Sequence, residues 1–164
     1  MSIESLFLQT AATKLRQSTD RIGVCLGKLS DNQIWSRAHE NENAVGNLVL
    51  HLTGNVRQWM VAGLGGKPDV RVRDREFSTG SGIPGAELQA NLATTVEEAI
   101  AVISGLTAEQ LTGIHQIQTR QVSGVEAVFS VVEHFGQHTG QIIYATKNLT
   151  GEDLGLVMPR KPPA

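Results

Sequence analysis

Apolar residues recur every three or four positions over four long stretches of the chain, and this spacing predicts amphipathic helices. The first predicted helix runs from Ser2 to about Leu29. The second ends near Leu64, and Asn43 is its expected N-cap because an Asn side chain can accept a hydrogen bond from the first turn.

The second half of the chain continues this pattern. The third predicted helix begins near Pro84 and ends near Gly105. Ser123 and Glu126 have the spacing of a capping box, which predicts a fourth long helix reaching about Leu149. Between them, IHQIQTRQV alternates and predicts a short extended piece. Four long amphipathic helices with few strand signals indicate an all-α four-helix bundle.

The connections between the predicted helices differ in character. Residues 30–43 are polar, with Trp35 as the single large anchor, and residues 107–111 predict a short helix. Residues 69–85 are charged and predict an irregular long loop between helices 2 and 3. We expect a single domain over residues 1–164, with a core at about 2–150. Glycines and prolines predict an irregular tail over residues 151–164.

Composition narrows the classes of partner and location. The formal net charge of -2 argues against nucleic acid as a partner. No apolar stretch approaches the roughly 20 residues of a membrane span. Cys25 is the single cysteine, which excludes an internal disulfide and agrees with a reducing compartment. Its apolar surroundings predict a small packed side chain. The N-terminal residues lack a basic start and a long apolar run, so we expect no signal peptide and a cytoplasmic location.

Three histidines carry the functional hypothesis. His134 and His138 are four residues apart on the fourth predicted helix, so their side chains stack on one face, one turn apart. Two imidazoles at this spacing can hold one divalent transition metal ion. His51 lies in the second predicted helix and can supply a third imidazole across the bundle core. Three such ligands leave coordination positions open, which is typical of catalytic metal sites. The alternative is that these histidines are ordinary core residues.

Several polar residues on the same helices are candidates for supporting the ligands. Asn47 and Asn55 flank His51 by one turn on either side, and Gln141 follows His138 by three residues. Their amides could fix the imidazole tautomers, although simple polar satisfaction is the alternative. Glu133 precedes His134 and points about 100° away around the helix. It is a candidate general base or partner for a histidine, and the alternative is a solvated or salt-bridged residue.

A cluster of charged residues follows the second predicted helix. Arg57, together with the group Arg71, Arg73, Asp74, Arg75 and Glu76, could bind an anionic substrate or the carboxylate of a thiol. The alternative is a network of ion pairs that holds the long loop against the second helix. His39 and His115 fall in connecting segments without a paired ligand, and we leave them out of the site.

The segments NENAVGNLVLHLTGNVRQWM, RVRDREF and VVEHFGQHTGQIIYATKNL resemble those of the DinB-like superfamily of metalloenzymes, over roughly residues 2–157. The family's metal ligands are one histidine on the second helix and an H-x3-H pair on the last long helix, which correspond here to His51, His134 and His138. The resemblance implies an up-down-down-up four-helix bundle that binds a divalent metal ion, often nickel or zinc, and a homodimer.

The resemblance also implies a function. Characterised relatives include thiol-dependent S-transferases and a mycothiol-dependent maleylpyruvate isomerase. We therefore expect a metal-dependent enzyme that acts on a small-molecule substrate by S-transfer or hydrolysis, with a low-molecular-weight thiol as a candidate cosubstrate. Two alternatives stay open: a non-catalytic, dimeric metal-binding protein with a stress-response or structural role, and a helical domain without a metal.

Overall fold

The computed structural model describes residues 2–156, and most of them are helical. In chain order, the elements are α1 (Ile3–Lys28), α2 (Asp31–Ile34), α3 (Val45–Val56), a π-helical continuation of α3 (Arg57–Leu64), α4 (Arg73–Ser78), α5 (Gly85–Ser104), α6 (Ala108–Thr112), β1 (Ile114–Ile117), β2 (Arg120–Ser123) and α7 (Gly124–Thr150). The four predicted long helices are present, with ends within about two residues of the predicted ones.

The apolar stripes of the four long helices meet in one core. α1 packs against α5 and α7, and α3 with its π-helical continuation also packs against α5 and α7. Fully buried side chains come from every long helix, including Leu15, Leu52, Leu92 and Ile142. Burial of each such side chain contributes about 1.5–3 kcal/mol. This packing brings neighbouring faces of α3 and α7 together, which positions the candidate histidines.

The start of α3 differs from the predicted cap. Ala44 is the N-cap, and Asn47 reaches back so that its Oδ1 accepts a hydrogen bond from the Ala44 N–H at 3.2 Å. The prediction that Asn43 caps this helix is therefore wrong. Asn47, inside the first turn, accepts from the N–H of the N-cap residue, which is the reverse of the contact expected of Asn43.

Two connections contain helical turns that the sequence pattern did not predict. Ser30 begins the short helix α2 with a capping box, and Trp35 follows it and donates a hydrogen bond to the Ile83 carbonyl at 3.0 Å. The expected irregular segment 69–85 contains α4, so that prediction is wrong for its central part. A six-residue helix has too few turns to show a clear apolar period, which is why the pattern missed it.

The segment between α5 and α7 agrees with its prediction. Thr107 caps α6, and β1 and β2 form an antiparallel hairpin in which Ile114 pairs with Ser123. Ser123 then caps α7 by accepting a hydrogen bond from the Glu126 N–H at 3.1 Å, but the predicted capping box is incomplete because the Glu126 carboxylate accepts from Arg120 at 3.2 Å. α7 ends at Thr150 because Gly151 adopts a left-handed conformation, with φ of 69°.

Residues 151–156 lack regular structure, as predicted, and the remainder of the expected tail, 157–164, lies outside the described residues. Cys25 is fully buried, in agreement with its prediction as a packed side chain. None of the helices within residues 2–156 combines the length and the apolar character that crossing a lipid bilayer requires.

Candidate metal centre

His51, His134 and His138 meet where α3 faces α7. One ring nitrogen from each lies within 4.8 Å of those of the other two. The Nε2 atoms of His51 and His134 are 2.9 Å apart. The sequence pattern placed His134 and His138 on one face of α7 and His51 on the buried face of α3. Packing of these two helices then brings the three imidazoles together.

The arrangement of the rings fits a single metal ion. The three ring planes are nearly perpendicular to one another, with interplanar angles of 77°, 85° and 89°. Two nitrogen ligands at about 2.1 Å from one ion, with angles of about 90 to 110°, are about 3.0 to 3.4 Å apart. The 2.9 Å between the Nε2 atoms of His51 and His134 is close to this range, and no pair of the three ligand nitrogens is more than 4.8 Å apart, so the cluster is compatible with one divalent ion.

Glu76 in α4 orients the His51 ring. Its Oε2 lies 2.9 Å from Nδ1 of His51, and both side chains are at least 90% buried. A carboxylate at neutral pH only accepts hydrogen bonds, so this shorter contact favours a proton on Nδ1 of His51, against the Arg71 guanidinium that lies 3.1 Å from the same nitrogen. Nε2 then presents its lone pair toward His134. A carboxylate behind a ligating histidine is the usual partner in metal sites because it fixes the tautomer and makes the imidazole more basic.

Arg71 completes this buried group. Its Nε donates to Oε1 of Glu76 at 2.6 Å, and its Nη2 donates to Oε2 of the same carboxylate at 2.8 Å. Its Nη1 donates to the side-chain oxygen of Gln58 at 2.8 Å. Burial by itself raises the pKa of Glu76, but the hydrogen bonds from Arg71 and His51 outweigh it and hold that pKa below its ordinary value. Glu76 is therefore ionised at neutral pH and remains an acceptor for His51.

Gln141 orients His138. The Oε1 atom of Gln141 lies 2.6 Å from Nδ1 of His138, one turn along α7. An amide oxygen accepts, so the proton of His138 is on Nδ1 and its Nε2 is free to ligate. Two of the three histidines thus carry a partner that prepares the same ring nitrogen, Nε2.

The protonation of the α7 histidines is also biased toward the neutral form. Burial, together with the charges of His138, His51 and Arg71, lowers the pKa of His134 to about 4. Burial likewise lowers the pKa of His138, although its hydrogen bond with Gln141 opposes the shift. Neutral imidazole is the form that binds a metal ion.

The side-chain oxygen of Asn55 is a buried hydrogen-bond acceptor without a donor among the described residues. Asn55 follows His51 by four residues and lies on the same side of the helix. Its Oδ1 is buried and has no hydrogen-bond partner within residues 2–156. A buried acceptor in this state costs about 1–3 kcal/mol, so a donor from outside the chain, such as an ordered water, is expected there.

Other predicted support residues lie elsewhere. Asn47 does not contact the histidines: its amide donates to the carbonyls of Glu76 at 2.9 Å and Thr79 at 2.7 Å. It therefore holds the segment that carries Glu76, rather than an imidazole. Glu133 is exposed and accepts a hydrogen bond from Gln137, so it takes no part in the cluster. Its position some 100° around α7 from His134 already pointed away from the site.

Arg57 is engaged by α5 instead of by the long loop. Its guanidinium contacts Glu98 at 3.1 Å and the Thr95 hydroxyl at 3.2 Å. The Arg71–Glu76 ion pair lies within the loop itself, and the contacts that hold the loop against α3 and its continuation include Glu76 to His51 and Arg71 to Gln58. The sequence placed Glu76 in the charged cluster but did not identify it as the partner of His51. Its only signal was a lone Glu in a charged run, 25 positions from His51, and charge patterning alone does not distinguish it from its neighbours.

Comparison with known proteins places this chain in a family. A family model described as "Protein of unknown function (DUF1572)" matches residues 2–161. The chain belongs to the DUF1572 family. No protein with a curated description matches this DUF1572 chain in sequence.

Solved structures confirm the DinB-like resemblance of this DUF1572 protein at the level of the fold. A conserved protein from Enterococcus faecalis has a TM-score of 0.74 at 15% identity, with 93% of this chain and 99% of that chain covered. The DinB-like protein YjoA from Bacillus subtilis has a TM-score of 0.66 at 17% identity, covering 88% and 93% of the two chains. A DinB-like protein from Bacillus cereus has a TM-score of 0.67 at 15% identity, covering 87% and 90%.

Proposed function

We propose that this DUF1572 protein is a divalent-metal-dependent enzyme of the DinB-like type, with His51, His134 and His138 as the metal ligands. The observation that carries the proposal is the convergence of three ring nitrogens within 4.8 Å. The Glu76 contact to His51 adds weight, because a packed core has no need of a buried carboxylate behind an imidazole. Nickel and zinc are the proposed ions, since both accept imidazole nitrogen.

A divalent ion held by these three histidines would supply Lewis acidity, which lowers the pKa of a bound water or low-molecular-weight thiol. The chain's own part is orientation. Glu76 and Gln141 fix the tautomers of His51 and His138, and burial keeps His134 neutral. Three protein ligands leave room in the coordination shell for a substrate.

The nucleophile is proposed to come from outside the protein. Cys25 is fully buried, and burial raises the pKa of its thiol, so it is a poor nucleophile. Thiol-dependent S-transfer to a small electrophilic substrate is therefore the first proposed reaction, and hydrolysis is the second. We also propose a cytoplasmic location, where such thiols are abundant and a free cysteine stays reduced.

The four long helices are proposed to form an up-down-down-up bundle. In that topology the second and third long helices are parallel neighbours, so their connection must cross the length of the bundle. α3 with its π-helical continuation packs against α5, and the long segment that contains α4 joins them. This agrees with the topology that the DinB-like resemblance implies.

A homodimer is proposed from the outer face of α7. Phe129 and Tyr144 are 62% and 70% exposed, and Gly136 and Gly140 lie between them on the same side of the helix. A Cβ at either glycine would meet no atom within 4 Å, so the backbone there is open to close approach. Apolar side chains with small residues between them suit helix-to-helix packing against a second copy.

Metal analysis tests the proposed centre. Purified wild-type protein should bind about one equivalent of nickel or zinc after reconstitution. His138→Ala should lose this metal, whereas His39→Ala should retain it, because His39 is an exposed residue of the 35–44 connection. Absence of metal from the wild-type protein, or equal binding by both variants, contradicts the site.

Activity assays then separate an enzyme from a structural protein. The metal-loaded protein should transfer glutathione, bacillithiol or mycothiol to model electrophiles, or hydrolyse model esters and amides. His138→Ala should lose this activity together with the metal. Stoichiometric metal without turnover of any of these substrates would favour the non-catalytic metal-binding bundle instead.

A further inference from the structure

A cavity of about 580 Å³ lies beside the histidine cluster, between α3, the segment 70–83 and α5. This volume is within the usual range for small-molecule sites, about 300–1,000 Å³. Arg71 and Glu76 line the cavity and also contact His51, so their ion pair separates the cavity from the cluster. No histidine lines the cavity. It is therefore a compartment distinct from the metal centre.

The cavity is positively charged. Arg57, Arg71 and Arg75 line it, against Glu76 as the one lining carboxylate. Glu76 neutralises Arg71, and Glu98 on the outer side pairs with Arg57 while also contacting Lys67. Arg75 is exposed, and its guanidinium has no hydrogen-bond or ion-pair partner in the described part of the chain. Positive charge is therefore in excess, and one guanidinium is free to bind an anion in the bidentate manner.

The cavity also has apolar walls. Val70 and Val72 line it, although they are 70% and 52% exposed. They flank Arg71, and the side chains of Leu50 and Ile83 add to the same lining. These two exposed valines offer apolar contact area to an occupant of the cavity. Asn91 on α5 adds an exposed amide at the rim. An occupant should therefore have an apolar body and an anionic group.

We propose that this cavity is a binding site for a small organic anion with an apolar body, such as a medium-chain carboxylate. Arg75 binds the anionic group, with Arg57 as the second cation, and the valines cover the apolar body. The site goes beyond the proposed metal-dependent function and does not depend on it, because none of the three metal ligands contributes to it.

Titration of metal-free protein with octanoate, followed by NMR amide shifts, tests the site. Octanoate should bind saturably with a Kd of about 1 mM or tighter. The shifted amides should lie in α4, the 70–72 segment and the facing turns of α5. Octylamine and octanol should bind more weakly, since the first reverses the charge and the second removes it. Because the titration uses metal-free protein, a failure to bind octanoate does not bear on the proposed metal site. A failure to bind metal likewise does not bear on the proposed anion site.

Matched arginine variants test the charge contact. Arg75→Gln should weaken octanoate binding by about threefold or more. Arg73→Gln is the control, because Arg73 lies on the same helix but stacks on Phe77 at 4.9 Å and does not line the cavity. Glu98→Gln should tighten binding by about threefold, since it releases Arg57 from its partner.

Four results would overturn the proposal. They are an absence of saturation by about 10 mM octanoate, shifts that map away from α4 and α5, equal weakening by Arg75→Gln and Arg73→Gln, and octylamine binding as tightly as octanoate.

Discussion

At the scale of single residues, Glu76 has the most specific part in the geometry of the histidines. It accepts from His51 and pairs with Arg71 while being almost fully buried. A buried carboxylate in this position serves two neighbours at once, so its removal has two consequences. His51 loses the partner that fixes its tautomer, and Arg71 becomes an unpaired buried charge.

Glu76→Gln should lower the affinity for zinc or nickel by about 10- to 100-fold, since an outer-shell partner of a ligating histidine is lost. It should also destabilise the protein by about 3 kcal/mol through the unpaired Arg71. Competition with a chromophoric chelator measures the affinity, and urea unfolding measures the stability. Glu133→Gln is the control, because Glu133 is exposed on α7. Equal metal affinity in the two variants would remove Glu76 from the site.

The pH dependence of stability tests the burial of His134. Its pKa is lowered from 6.5 to about 4 in the folded protein. Between these values the unfolded chain binds the extra proton, so stability should fall as the pH falls from about 6.5 to about 4. The loss is on the order of 3 kcal/mol for the metal-free protein. Urea unfolding across this range should show a shallower dependence for His134→Gln. An unchanged slope would mean that His134 titrates normally.

At the scale of elements, the contact between α3 and α4 depends on the absence of a side chain. A Cβ at Gly54 would clash with Oε1 of Glu76 and would lie 3.0 Å from Nε of Arg71. Both partners are buried, so they cannot move into solvent. Gly54 therefore lets the Arg71–Glu76 pair lie directly on α3, one turn from His51.

Gly54→Ala should destabilise the protein by about 1–3 kcal/mol, because an extra carbon is forced into a packed contact. It should also weaken metal binding by displacing Glu76. Gly27→Ala in α1 is the matched control, since its Cβ would meet no atom within 4 Å. That change should be neutral or stabilising by up to about 1 kcal/mol, as expected for Gly to Ala in a helix. Thermal unfolding measures the stability of the two variants, and chelator competition measures their metal affinity. Equal stability and equal affinity in Gly54→Ala and Gly27→Ala would contradict the steric argument.

At the scale of the whole molecule, the outer face of α7 and the metal centre use different sides of one helix. His134 and His138 face α3, whereas Phe129 and Tyr144 face outward. The proposed dimer and the proposed metal site are therefore separable by mutation, even though they share α7.

Phe129→Glu should convert a dimer to a monomer, because it buries a charge at one end of the proposed apolar interface. Light scattering coupled to size-exclusion chromatography measures the mass. Ile114→Glu serves as the control, since Ile114 is 68% exposed but lies on the hairpin and not on α7. The metal content of both variants should match that of the wild-type protein. A wild-type protein of monomer mass would exclude the dimer.

Much of the element pattern could be predicted from local sequence. The apolar period located the four long helices, and Ser123 marked the start of α7. Short elements were missed or misplaced, because α2 and α4 span too few residues to show a period. The cap of α3 was misassigned because Asn43 and Asn47 are both suited to hydrogen-bond the first turn. Only the backbone path decides which one reaches it.

The sequence by itself was enough to select His51, His134 and His138 as the candidate metal ligands. It also placed His134 beside His138, because one helical turn separates them. It could not determine the partner of each imidazole. Gln141 is a local neighbour of His138, but Asn47, one turn before His51, had an equally suitable spacing and serves another group. The carboxylate behind His51 and the cationic cavity beyond it depend on how the 65–84 segment folds back onto α3. That path follows from long-range packing, which periodicity does not encode.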